Sequence, residues 1–176
     1  MSRNIEIKAR VADIDALRAR ACALAGSPAT LIEQDDQFFP VPHGRLKLRR
    51  FADGSAELIH YHRADTADAK ASDYVRVPVP DPAALAEALA RGCGSGPRVV
   101  KRRWLLLVGR TRIHLDRVEG LGDFVELEVV LGEGQGDADG VAMAESLMRD
   151  LGLEHAERIP GAYADLLSTA GIASAR

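Results

Sequence analysis

Basic residues stand two apart at Lys8 and Arg10, at Arg45, Lys47 and Arg49, and at Lys101 and Arg103. Glu6 precedes Lys8 by two, Tyr61 and Arg63 keep the same spacing, and so do Arg112, His114 and Asp116. In the stretch DFVELEVVL, Glu126 and Glu128 are also two apart. Side chains of an extended chain alternate between two faces, so each set shares one face of a strand. Arginine forks and lysine point charges in such numbers neutralise an anion with many oxygens. Neighbouring carboxylates repel, and hard oxygen donors such as Glu6, Glu126 and Glu128 are tolerated side by side when they hold a divalent cation. The chemistry implied is a polyphosphate accompanied by a metal. His114 has a side chain whose ordinary pKa suits proton transfer, or it lines the site as a hydrogen-bonding group.

The elements that must position these residues are legible from periodicity. RNIEIKARV alternates ionic residues with Ile5, Ile7, Ala9 and Val11, which predicts a strand. Asp13 caps a helix whose apolar positions Ile14, Leu17, Ala21 and Leu24 recur near 3.6 residues, with Gly26 as its stop. TLIEQDDQFF and RLKLRRF read as a hairpin joined through PVPHG, and AELIHYHRA as a further strand. DTADAKAS reads as a surface loop, and DYVRVPV as an edge-type strand because of Pro78. DPAALAEALAR starts a short helix with Asp81 at its cap and Pro82 at the first position, ending before GCGSGP. RVVKRRWLLLV, RTRIHLDRV and DFVELEVVL form a three-stranded meander. A helix carrying Val141, Ala144, Leu147, Met148 and Leu151 follows GEGQGDADG, GAYADLL adds a helical turn or two, and STAGIASAR reads as a fraying tail. The fold class is antiparallel α+β, with about eight strands.

An ordinary sheet with one solvated face accounts for any one of these strands. It accounts poorly for the set, because Lys and Arg recur on several strands while acids concentrate on a few. If the sheet closes, the ionic faces line one interior, which water or a ligand must fill. Ile5, Ile7, Leu46, Leu48, Ile113, Leu115, Val125, Leu127 and Val129 occupy the opposite faces.

Composition narrows the class. At 176 residues with 47% hydrophobic content the chain can bury one sizeable core. A net charge of -3 gives no bulk attraction to nucleic acid or membrane, so an anion site must be local. No apolar run is long enough to span a bilayer, and MSRNIEIKAR lacks a secretory core, which points to a cytoplasmic protein. Cys22 and Cys93 lack metal-ligand spacing and read as free thiols. His60 and His62 have no third ligand at matching spacing and read as surface or packing residues. Trp104 is expected to pack under a helix, and Tyr163 in the core; Tyr74 and Tyr163 are also candidates to touch a base.

NIEIKAR, RLKLRRF, YHR, VVKRR, TRIHLDRVEGLGDFVELE and AYADLL, in that order from Asn4 to Leu167, resemble the CYTH family, the triphosphate tunnel metalloenzymes. That family includes class IV adenylate cyclases, thiamine triphosphatases and inorganic triphosphatases. The resemblance implies an eight-stranded antiparallel β-barrel with flanking helices, a single domain over residues 1–168 and a tail over 169–176. It implies Mg2+ or Mn2+ held by Glu6, Glu126 and Glu128, with Asp116 as helper. It places triphosphate on Lys8, Lys47, Arg49, Arg63, Lys101, Arg103 and Arg112, with Lys8, Arg112 and His114 as catalytic residues. One departure stands out: the family signature E-x-E-x-K has Asn4 at its first glutamate, which puts a second metal in doubt.

Three functions follow as expectations. The favoured one is a class IV cyclase converting ATP to cyclic AMP and pyrophosphate. The second is hydrolysis of inorganic or thiamine triphosphate, and the third is a polyphosphate- or nucleotide-binding module without turnover. Partners are limited to the small-molecule triphosphate (ATP, tripolyphosphate or thiamine triphosphate), without nucleic acid or membrane, on a monomer or homodimer.

Overall fold

The computed structural model describes residues 2–63 and 70–171, with residues 2, 3, 63 and 70–72 described in backbone only. Eight strands form there: β1 (Ser2–Arg10), β2 (Thr30–Phe39), β3 (Arg45–Phe51), β4 (Ala56–Arg63), β5 (Lys70–Pro78), β6 (Arg98–Val108), β7 (Thr111–Val118) and β8 (Gly122–Val130). The helices are α1 (Ile14–Ala25), α2 (Pro82–Cys93), α3 (Asp137–Asp150) and α4 (Tyr163–Thr169). The strands close into an antiparallel barrel in the order β1-β5-β4-β3-β2-β6-β7-β8, sealed by β8 pairing with β1 from Phe124↔Arg10 to Val130↔Asn4.

Closure turns the period-two pattern into an inside and an outside. Ile5, Ile7, Ile113, Leu115, Val125, Leu127 and Val129 face outward and are buried under helices rather than in the lumen. Helix α1 covers β6 and β7 with Ile14, Leu17 and Ala21. Its ends are fixed as the sequence indicates. Asp13 Oδ1 accepts from the backbone N–H groups of Asp15 and Ala16 at 3.1 and 2.9 Å, and Gly26 takes the left-handed conformation that terminates the helix. Helix α3 packs on β1 and β8 through Gly140, Ala144, Leu147 and Met148. A third apolar cluster joins Leu85 and Leu89 of α2 to Phe39, Leu48 and Ala56.

One end of the barrel is filled. Tyr163, Ala164 and Leu167 of α4 pack with Phe38, Val99, Val118 and Phe124, and the rings of Phe124 and Tyr163 lie 5.0 Å apart between centroids. Trp104 faces outward against α1, with the Arg18 guanidinium 5.1 Å from its ring.

Five local expectations need correction. β5 is not an edge strand: it pairs with β4 and also with β1. Its pairing with β1 stops at Ser2↔Tyr74, so Pro78 sits where the strand has one neighbour and a missing N–H costs nothing. The loop expected over Asp65–Ser72 is shorter, because β5 begins at Lys70; residues 64–69 lie outside the described residues. Helix α2 continues through Gly92 to Cys93, and α3 begins at Asp137, inside the glycine-rich stretch. Asp139 makes that start possible by accepting from the Gly136 N–H at 2.9 Å. Thr169 belongs to α4, its hydroxyl donating to Asp165 O at 2.9 Å, and the expected tail beyond residue 171 lies outside the described residues.

Candidate functional site

The lumen contains a cavity of about 420 Å3 lined by side chains of all eight strands, with Ala162 and Tyr163 contributing from the filled end. This lies within the roughly 300–1,000 Å3 typical of small-molecule sites. Lys8, Lys47, Arg49, Lys101, Arg103, Arg112 and His114 all line it, as do Glu6, Glu126 and Glu128. The side chain of Arg63 lies outside the described residues.

Three of the cations share one carboxylate. Arg49 grips Asp36 with two hydrogen bonds of 2.7 Å, Lys47 Nζ donates to it at 2.9 Å, and Lys101 Nζ lies 3.9 Å away. Burial pushes the Asp36 carboxyl up, but Arg49 and Lys47 outweigh it and hold the group well below the usual carboxylate range. For the lysines the balance runs the other way. Burial, aided by the Arg49 charge, brings Lys47 down to about 8 despite Asp36. Burial and Arg103 put Lys101 well below the ordinary ammonium range. Packing cations closely enough to grip an anion makes each of them expensive while the anion is away.

Arg103 is held from behind. Its guanidinium makes two hydrogen bonds of 2.6 Å to Asp116 and one of 3.0 Å to Glu126. Tyr163 donates to the same Asp116 at 2.9 Å. Burial raises Asp116, but Arg103 and Lys101 prevail and bring its carboxyl to about 2. Asp116 is fully buried and does not line the cavity, so it acts on the site through Arg103. Lys8 Nζ donates to Gly161 O at 3.2 Å, lies 3.6 Å from Glu126, and sits 4.3 Å from the centre of the Tyr163 ring.

The acids form one wall. Glu6 and Glu128 are direct cross-strand partners on β1 and β8, an arrangement that repels unless compensated. Arg112 donates to Glu128 at 3.1 Å, and the Asn4 amide donates to the same oxygen. His114 stands between the acids, with Nδ1 3.9 Å from Glu126 and Nε2 3.7 Å from Glu128. Burial and the Arg103 charge lower its pKa against the pull of Glu126. Nδ1 is buried without a hydrogen-bond partner, and so is Oδ1 of Asn4.

The donors Glu6, Glu126 and Glu128, with the orphaned Asn4 oxygen beside Glu128, are hard oxygens of the kind that Mg2+ and Mn2+ take. In chemistry they fit such an ion. They are not gathered around one point: among the described residues no three His, Cys, Asp or Glu side chains converge to hold a metal. Arginines hold two of the carboxylates instead.

Sequence reasoning misses Asp36. Asp35 and Asp36 are adjacent, so alternation alone cannot say which faces inward; Asp35 turns out, bound by Arg98 with two contacts of 2.7 Å. Tyr163 combines the two places that the sequence offers it, since the same ring that packs on Phe124 forms part of the cavity wall. His60 and His62 are exposed outside the barrel, where His60 Nε2 lies 3.0 Å from His43 O. Among the described residues no helix is long and apolar enough to cross a membrane.

A family model described as the CYTH domain matches residues 2–163. No curated protein matches the sequence. Solved structures do. The PH1012 protein of Pyrococcus horikoshii is 26% identical, with a TM-score of 0.82 over 93% of this chain and 98% of its own. A candidate adenylate cyclase of Vibrio parahaemolyticus is 21% identical, with a TM-score of 0.76 over 94% and 97%. A candidate adenylyl cyclase of Hippeastrum, described as having a dominant triphosphatase activity, is 17% identical, with a TM-score of 0.64 over 96% of each chain. At those identities the last two show the fold alone.

Proposed function

The chain belongs to the CYTH domain family, matched over residues 2–163, and on that premise we propose that it converts ATP to cyclic AMP and pyrophosphate inside its barrel, with a divalent cation as cofactor. One observation carries the reading: Lys8, Lys47, Arg49, Lys101 and Arg103 converge in a single buried lumen. Transfer at phosphorus depends chiefly on positioning and charge neutralisation, which cations gathered on the walls of one cavity supply.

The roles divide by wall. Lys47, Arg49 and Lys101 leave Asp36 in part to take phosphate oxygens, while Arg103, locked by Asp116, presents its guanidinium in one orientation. Lys8 and Arg112 take oxygens next to the acidic wall. Glu6, Glu126 and Glu128 would hold Mg2+ or Mn2+, which when bound neutralises phosphate charge and acidifies a coordinated hydroxyl. The ribose 3′ oxygen bonds to the α-phosphorus as the bridging oxygen leaves with pyrophosphate. His114, kept neutral by burial and Arg103, takes the departing proton on its imidazole ring.

Hydrolysis of the terminal phosphate uses the same lining with water as nucleophile, and the triphosphatase activity named for the Hippeastrum protein favours keeping it as a second reading. Chromatographic product analysis separates the two. Incubation with ATP, tripolyphosphate and thiamine triphosphate, each with Mg2+ and Mn2+, is expected to give cyclic AMP and pyrophosphate from ATP. Orthophosphate without cyclic AMP would replace the cyclase by a hydrolase. Binding without turnover of any of the three would leave a binding module.

A further inference from the structure

Lysines are scarce in this chain and concentrated in one place. They are Lys8, Lys47, Lys70 and Lys101, and all but Lys70, whose side chain lies outside the described residues, line the lumen. Among the described residues the basic side chains of the outer surface are arginines and histidines. The difference is chemical. A guanidinium keeps its proton at any physiological pH, whereas a buried ammonium group beside other cations gives up its proton readily and becomes a nucleophile.

Of the three lumen lysines, Lys47 is the one placed to react. Its side chain is 12% exposed, against 4% for Lys8 and 4% for Lys101. Lys8 is tied down by Gly161 O, Glu126 and the Tyr163 ring. Lys47 Nζ reaches the cavity between two rings, 5.5 Å from the centre of Phe38 and 5.5 Å from that of Tyr61. Its hydrogen bond to Asp36 ends on Oδ2, the oxygen that also accepts from Arg49 at 2.7 Å, so the amine and a guanidinium lie side by side. Lys101 approaches the same oxygen at 3.9 Å. Burial and the Arg49 charge, which bring Lys47 to about 8, leave roughly a quarter of it as free amine at pH 7.5, against about 0.1% of an ordinary lysine.

A nucleophilic amine beside an anion site suits one class of reagent, an aldehyde that carries a phosphate ester. Arg49 and Lys101 would take the phosphate oxygens and so hold the carbonyl carbon near Nζ. We propose that Lys47 is a covalent modification site within the lumen, forming a reversible imine with phosphorylated aldehydes, so that such compounds exclude the triphosphate. In the step, the Nζ lone pair bonds to the carbonyl carbon and one amine proton passes to the carbonyl oxygen. The second amine proton follows as the C–O bond breaks and the C=N bond forms. The oxygen leaves as water, and no oxidant or reductant is consumed. Asp36, 2.9 Å from Nζ, is the carboxylate in position to carry these protons. The proposal rests on the cationic segment being an anion site and goes beyond it, since a triphosphate makes no bond to the lysine.

Borohydride trapping on the full chain tests it. The protein is incubated at about pH 7.5 with pyridoxal 5′-phosphate or glyceraldehyde 3-phosphate, reduced so that each imine becomes a stable secondary amine, and mapped by peptide mass spectrometry. Lys47 is expected to be labelled at least about tenfold faster than Lys70, and pyridoxal, which lacks the phosphate, to label it about tenfold more slowly than its phosphate ester. Saturating tripolyphosphate should protect Lys47 and leave Lys70 unchanged. The faster of the two phosphate esters identifies an aromatic or an aliphatic aldehyde. Lys47→Arg should lose the label while tripolyphosphate still raises its Tm, which shows that the variant has folded. Labelling spread evenly over the four lysines, labelling at another lysine in place of Lys47, or equal labelling by pyridoxal overturns the modification site. If tripolyphosphate raises the Tm of the wild type, each of those outcomes leaves the anion site intact. A wild type that tripolyphosphate does not stabilise overturns the anion site and the proposal with it.

Discussion

Asp36 is the residue on which the resting charge of the lumen turns, because Arg49, Lys47 and Lys101 all lean on it. A triphosphate must take those cations from Asp36, so the carboxylate stabilises the empty barrel and competes with the ligand. Asp36→Asn should therefore lower stability, by about 3–5 kcal/mol on the scale of a broken buried pair, yet enlarge the rise in Tm that saturating tripolyphosphate produces. Thermal melts with and without the ligand check this, and an unchanged ligand shift would mean that Asp36 does not compete. Lys47 makes a second prediction. Its pKa in the free protein is about 8, and an anion at its ammonium group must raise it. Below pH 8 the lysine is charged before and after binding, and affinity is flat with respect to this group. Above pH 8 binding must supply a proton, so affinity falls as pH rises, by up to about tenfold per unit. Titrations at pH 8.5 in buffers of different ionisation enthalpy should show proton uptake, and Lys47→Arg should reduce it to the share taken up by Lys101, which burial and Arg103 also hold below the ordinary ammonium range. Lys8, Lys47, Lys101 and Arg103 were legible in the sequence because alternation puts them on strand faces opposite Ile7, Leu48 and their like. Asp36 was not, since adjacent aspartates carry no parity.

Among the elements, α3 shows how packing overrules propensity. Glycine within a helix costs roughly 1 kcal/mol relative to alanine, so Gly140→Ala would stabilise α3 if the helix stood alone. In the fold, a Cβ at Gly140 would meet Ile5 Cγ1 at 2.5 Å and Leu131 Cδ2 at 2.7 Å. Overpacking of that kind costs typically 1–3 kcal/mol, which exceeds the gain. Gly140→Ala should then lower the urea midpoint, and combined with Ile5→Ala, which removes Cγ1, it should cost less than the two single changes added together. A midpoint that rose in the single variant would show that α3 can retreat from β1 without cost. Sequence periodicity found the apolar stripe of α3 and missed its start. Val141 and Leu147 announce a buried face, whereas the first turn rests on Asp139 reaching back to the Gly136 N–H inside what reads as a flexible run. Helix α4 was similarly legible as a turn or two around Tyr163. That its first residue both anchors Asp116 and walls the cavity depends on where the chain returns to the barrel, which periodicity does not encode.

For the whole molecule, the decisive event is the pairing of β1 with β8, since it joins the first strand to the last and sets Glu6 against Glu128 and Lys8 against Glu126. Alternation along each strand implied the two faces, but the insertion of β1 between β5 and β8 was not readable from any segment. Closure also fixes a charge balance. Among the described residues that line the cavity, seven carry positive charge (Lys8, Lys47, Arg49, Arg76, Lys101, Arg103 and Arg112) and five negative (Glu6, Asp36, Glu57, Glu126 and Glu128). The excess is small and the charges are largely paired with one another, so a triphosphate alone would leave the acidic wall facing its oxygens. A divalent cation alone would meet carboxylates already committed to Arg103 and Arg112. Each ligand frees the partners that the other needs, so the two should bind cooperatively, and by linkage the enhancement must be the same whichever is added first. A coupling of about 1–3 kcal/mol is the usual scale. Titrating tripolyphosphate with and without Mn2+, and Mn2+ with and without tripolyphosphate, measures both arms without reference to turnover. Glu126→Gln and Glu128→Gln remove the repulsion and the metal donors together. They should tighten tripolyphosphate binding in metal-free buffer and erase most of the gain from Mn2+. Equal enhancement by Mn2+ in the wild type and both variants would place the cation away from this wall.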